Sequence, residues 1–135
     1  MNSIKKTTEA EDMKIKLSTL WIVVMFNIAF ADIVGFLHPG ALEQIMRGEV
    51  GFELTQGLLL VFSILLEIPI AMIFLSRVLK YRVNRWANII AGAITILFVI
   101  VGGSTTLSYI FFATIEIVCM SLIIWYAWMW PKQEA

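Results

Sequence analysis

Apolar residues fall in four long blocks, and polar residues mark the gaps between them. The blocks run over about 17–37, 54–76, 86–101 and 107–130. Each approaches the roughly 20 residues that a helix needs to cross a bilayer. Turn chemistry separates them: His38-Pro39-Gly40 after the first and Gly102-Gly103-Ser104 after the third. The pattern predicts an all-α, four-helix transmembrane bundle, with a polar tail at 1–16 and a short tail at 131–135. Within the first loop, Ala41 to Met46 reads as a short amphipathic turn ended by Gly48.

Spacing at i, i+3, i+4 and i+7 then assigns faces. In span two, Gln56, Leu60, Ser63 and Glu67 share one face, continued by Ala71. Span three aligns Asn88, Gly92, Thr95, Val99 and Gly102. Span four aligns Tyr109, Phe112, Glu116, Cys119, Ile123 and Tyr126. Span one places Asn27, Ala31, Val34 and His38 together, with Asp32 about 140° round from Asn27 at 100° per residue. Small and weakly polar stripes are the usual contact faces between membrane helices. Ionisable groups inside spans face the bundle interior and mark function. Glu67 and Glu116 lie near mid-depth and are therefore expected to face a shared polar interior. Pro69, two residues after Glu67, removes a backbone donor and is a candidate hinge.

Composition agrees with the blocks. The 135 residues are 60 % hydrophobic and 15 % charged, with a mean hydropathy of +0.87. Soluble domains are nearer a quarter charged. The formal net charge of zero gives no field for nucleic acid. Charge is instead segregated along the chain. Lysines of the N-terminal tail, the hairpin Arg77, Lys80, Arg82 and Arg85, and Lys132 fall on one side of a four-span topology. The first loop, with Glu43, Glu49 and Glu53, falls on the other. By the positive-inside rule both termini are cytoplasmic. The five tryptophans, Trp21, Trp86, Trp125, Trp128 and Trp130, are expected in an interfacial belt. Ala29-Phe30-Ala31 resembles a signal-peptidase site, but apolar residues continue to Leu37, so the first span is expected to stay uncleaved.

Leu66-Glu67-Ile68 and Ile115-Glu116-Ile117 echo each other on helices of the same direction. A parallel repeat of two helical hairpins is one reading of that echo. No nucleophile–base pair and no Cys/His ligand pattern occurs, and Cys119 is the single cysteine. No cofactor, catalytic residue or metal ligand is assigned. Asp32, His38 and Glu53 are weighed as an outer metal or acid/base group, against a capping role for His38.

The run Glu67-Ile68-Pro69-Ile70-Ala71-Met72, then Leu75 to Arg82 and Asn84 to Ile89, resembles a family of small bacterial four-span proteins of unknown function. Asp32 with Gly35, Ile115-Glu116-Ile117 and Trp125-Tyr126-Ala127-Trp128 carry the same resemblance. It implies a bacterial inner-membrane, multi-pass protein and no assigned activity. The chain also resembles, more distantly, DoxX-type four-helix proteins, which carry an acid in span two before a basic turn.

The expected function is binding or transport of a small ligand, cation or proton through Glu67, Glu116, Asp32, Asn27 and Gln56. The partners expected are the bilayer and either a second copy or another membrane protein. The alternative is an accessory or structural subunit of a membrane complex. The third reading is a membrane enzyme acting on a lipid or quinone through a carboxyl pair.

Overall fold

The structure is a computed structural model that describes residues 2–49, 51 and 53–131. Lys132 and the rest of the C-terminal tail lie outside the described residues. The elements are α1 (Asn2–Phe36), α2 (Ala41–Met46), α3 (Gln56–Val78), α4 (Tyr81–Val101) and α5 (Leu107–Trp128). No strand occurs among the described residues. Four of the helices are long and apolar enough to cross a membrane, as in a multi-pass membrane protein.

Two boundaries differ from the sequence reading. From Asn2 to Lys16 the polar stretch is not a separate tail; it continues α1, which is 35 residues long. Nothing from Asn2 to Leu17 is Gly or Pro, and lysine and glutamate are good helix formers, so no residue stops propagation. At 1.5 Å per residue α1 is about 52 Å long, well beyond a hydrocarbon core of about 30 Å. The second difference is the start of α4 at Tyr81 rather than Trp86, which leaves only Leu79 and Lys80 between α3 and α4.

Local chemistry sets the other ends. α1 tightens through Leu37 N–H to Val34 O (3.0 Å) and His38 N–H to Gly35 O (3.2 Å), and Pro39 prevents continuation. The expected turn at Ala41–Met46 is α2, closed by Gly48 at φ +72°. Thr55 caps α3 by accepting from Leu58 N–H, and Thr106 caps α5 by accepting from Tyr109 N–H.

α1 packs against α3 and α5, and α4 packs against the same two, so α1 and α4 occupy opposite corners of a four-cornered bundle. The α1 face in the core is Leu17, Trp21, Val24, Ile28 and Ala31. α3 buries Pro69, Met72 and Ser76. α4 buries Asn84, Asn88, Ala91, Gly92, Thr95 and Val99, and α5 buries Glu116, Cys119, Met120, Ile123 and Ala127. The α4 and α5 helices approach closely at Gly92, where a Cβ would come within 2.8 Å of Ile124. Small residues serve this purpose between membrane helices.

Spans three and four thus turn the expected stripes inward, except at Gly102, which is exposed. Span two does the reverse: Gln56, Leu60, Ser63 and Glu67 are all exposed. At 100° per residue, Glu67 stands about 160° from Pro69, on the opposite side of the helix. Ser76 is the polar side chain that α3 turns inward, and its face fits α1 and α4.

Candidate functional site

The α5 stripe carries the buried acid. Glu116 is 2 % exposed, and its Oε1 has no hydrogen-bond partner among the described residues. It stands nine residues into α5, about 13 Å from that helix's start at 1.5 Å per residue. Tyr109, two turns earlier on the same face, donates its hydroxyl to Val99 O at 2.5 Å. Asp32 is exposed on α1, four residues before that helix ends, and lies close enough to Glu116 and Tyr109 to act on both electrostatically. Cys119, one turn beyond Glu116, lies within the range of that carboxyl's charge.

An open groove of about 420 Å³ runs between α4 and α5 at the Gly102-Gly103 end, lined by Val99, Gly103, Tyr109, Ala113 and Ile117 among others. Glu116 is not part of its lining. The acid is therefore enclosed beside the groove rather than open to it.

The structure does not bring Glu67 to Glu116. Glu67 faces outward while Glu116 faces the core, and their helices occupy the other two corners of the bundle. Gln56 is exposed at the first turn of α3. Asn27 is half-buried and spends its amide on its own helix, donating to Val23 O at 2.8 Å. Pro69 is buried within an uninterrupted α3. Asp32, His38 and Glu53 do not assemble: no group of three or more His, Cys, Asp or Glu side chains able to hold a metal occurs among the described residues. Their separation follows from α1 ending before the loop, with His38 and Glu53 both exposed to either side of α2.

Residues 5–135 match the family described as "Family of unknown function (DUF6326)". The chain belongs to this family. No match was found among curated proteins, and none among solved structures.

The DUF6326 chain also holds a polar cluster that sequence reading missed. At the α3–α4 turn, Asn84 donates its amide to Ser76 O (2.8 Å) and Leu79 O (3.2 Å). These carbonyls sit at the C-terminal end of α3, where no intrahelical donor remains. Asn88 donates to Asn84 O (2.9 Å) and Asn84 Oδ1 (2.7 Å). Its own Oδ1 accepts from Trp21 Nε1 (2.7 Å) and Ser76 Oγ (3.2 Å). The amide N–H groups of both asparagines are engaged, so the cluster has no free amide donor for a ligand and serves as structure. The legible signal was Asn84-x3-Asn88, hidden because span three was expected to begin at Trp86.

Trp21 is accordingly no interfacial anchor: it is fully buried and hydrogen-bonded in the core. Trp130 is also buried, at 3 % exposure, edge-on to Tyr81 with centroids 5.2 Å apart. Trp86, Trp125 and Trp128 remain exposed, as a belt requires. Arg85 donates from Nε to Ala127 O (3.0 Å) and from Nη2 to Trp128 O (3.1 Å), so it closes the C-terminal end of α5. A cation there also opposes the negative end of the helix dipole.

Proposed function

We propose that this protein is a bacterial inner-membrane protein that binds a proton or small cation at Glu116, with Asp32 as the outer carboxyl that attracts it. One observation carries the reading: a carboxyl that is 2 % exposed and has an oxygen without a partner among the described residues. Burying an unpaired carboxylate is costly, and a proton or cation removes that cost. Asp32 lies nearer the membrane surface and within electrostatic reach, which suits a relay from outside to inside. Glu67, Gln56 and Asn27 have no part in this site.

We assign both termini to the cytoplasm by the positive-inside rule. Arg77, Lys80, Arg82 and Arg85 gather at one end of the bundle, and Glu43, Glu49 and Glu53 lie in the loop at the other. The distant likeness to DoxX-type proteins supports this topology and supplies no ligand. A parallel repeat of the α1–α3 and α4–α5 hairpins suits the packing order, since exchanging the hairpins exchanges opposite corners. The unlike surroundings of Glu67 and Glu116 make such a repeat functionally unequal.

A second reading, an accessory subunit, is favoured by the outward position of Glu67 at mid-helix. The enzyme reading has least support, because the acid does not line the groove where a lipid or quinone would lie.

Infrared difference spectroscopy on protein in liposomes, with pH and sodium or potassium stepped, tests the proposal. A carboxyl band that responds and that Glu116→Gln removes is expected. Asp32→Asn should slow the response and leave the band. A response unchanged by Glu116→Gln overturns the assignment.

A further inference from the structure

α3 is the least enclosed of the four long helices, and its outer face is patterned. Gln56, Leu60, Ser63, Glu67, Ile70 and Phe74 follow one another at alternating intervals of four and three residues, and all are exposed. That average of 3.5 residues is the repeat of a left-handed helix–helix seam. At 100° per residue the six side chains fall within an arc of about 80°, opposite the buried Pro69, Met72 and Ser76. Glu67 lies at the centre, with eleven residues of α3 before it and eleven after it.

A carboxyl at that depth does not stay against lipid tails. The bundle itself offers it nothing, because it points away from the core. We infer that a second copy of this chain covers it, in a parallel dimer whose two α3 helices meet along this seam. In such a pair the twofold axis brings each Glu67 to its own counterpart. Two carboxyls sharing a proton satisfy each other by hydrogen bonding without a counter-cation. Gln56 meets its counterpart in the same way, amide to amide, while the Ser63 hydroxyl donates to Leu59 O within its own helix (2.9 Å) and leaves a small side chain at the seam. A partner matching Glu67 by charge would have to bring its own lysine or arginine to mid-bilayer. No other face offers one among the described residues, whose cations all lie near helix ends or outside the spans. The parallel arrangement follows because every copy inserts with its basic turn on the same side. Phe74 adds apolar contact one turn beyond Ile70, and Arg77 ends the seam at the membrane surface. This inference concerns α3 and is independent of the Glu116 site.

Disulfide cross-linking in native membranes tests it, with Cys119 replaced by alanine. Ser63→Cys and Phe74→Cys should give a cross-linked dimer. Val61→Cys and Ile64→Cys, exposed but off the seam, should not. Single-molecule photobleaching in liposomes should show two copies. Glu67→Leu should raise the dimer dissociation constant about three- to thirty-fold, the range of hydrogen bonds between membrane helices. Glu67→Gln should retain most of the association, because an amide pair replaces the acid pair. Helix content by circular dichroism should be unchanged in both, since Glu67 is exposed on the face of α3 opposite the core. A monomer, cross-links at the off-seam positions instead, or a cross-link from Ser63→Cys to a different protein overturns the inference.

Discussion

Trp21 on α1 and Asn88 on α4 stand at opposite corners of the bundle, yet the indole N–H meets the amide oxygen at 2.7 Å. The bond crosses the core where neither α3 nor α5 intervenes. It ties the two helices that do not pack side by side, and through Asn84 and Ser76 it reaches the α3–α4 turn. A single buried amide thus coordinates three of the four long helices.

Asn88→Ala should therefore lower stability by about 2–3 kcal/mol, because it leaves Trp21 Nε1 and Asn84 Oδ1 buried without partners. Trp21→Phe should cost nearer 1 kcal/mol, since Asn88 Oδ1 keeps Ser76. Reversible unfolding in mixed micelles measures both. A loss below about 0.5 kcal/mol for Asn88→Ala contradicts the structural role given to the cluster.

Arg85 makes the corresponding tie at the end of α5. Arg85→Gln should speed hydrogen exchange at the Met129 and Trp130 amides, whose acceptors are Trp125 O and Ala127 O. It should cost about 1 kcal/mol, as expected for a half-exposed cation at a helix C-terminus. Arg85→Lys should recover less than half, because an ammonium lacks the fork that reaches two carbonyls. Exchange rates unchanged in Arg85→Gln would show that the last turn holds itself.

Glu116 separates stability from function. Glu116→Met keeps side-chain length and removes the unpaired carboxyl, so the variant should be more stable by about 1–2 kcal/mol. It should also lose any response to protons or cations. Micelle unfolding beside the infrared measurement checks both halves. A variant less stable than the parent means that the carboxyl has a partner worth keeping.

Sequence alone determined the class and the four long apolar helices. Four apolar blocks, a Pro-Gly stop and a Gly-Gly turn are local signals, and bilayer thickness fixes what such blocks do. The inward faces of α4 and α5 were equally legible. Asn88, Gly92, Thr95 and Val99 recur at helical spacing, as do Glu116, Cys119 and Ile123, and in both helices the polar and small positions coincide with the contact face.

Tertiary structure decided α3. Its polar stripe and its contact face are different faces, and periodicity cannot say which one the bundle uses. Ser76 faces inward because Asn88 and Asn84 are there to meet its hydroxyl and its carbonyl, and those residues lie 12 and 8 positions away. Glu67 is left outside by the same rotation. Trp21 illustrates the same limit: near a helix end it reads as an anchor, and only a buried acceptor on another helix makes it core. Local pattern encodes depth in the membrane and helical face. Which face meets which neighbour depends on shape and hydrogen-bond partners brought together by folding.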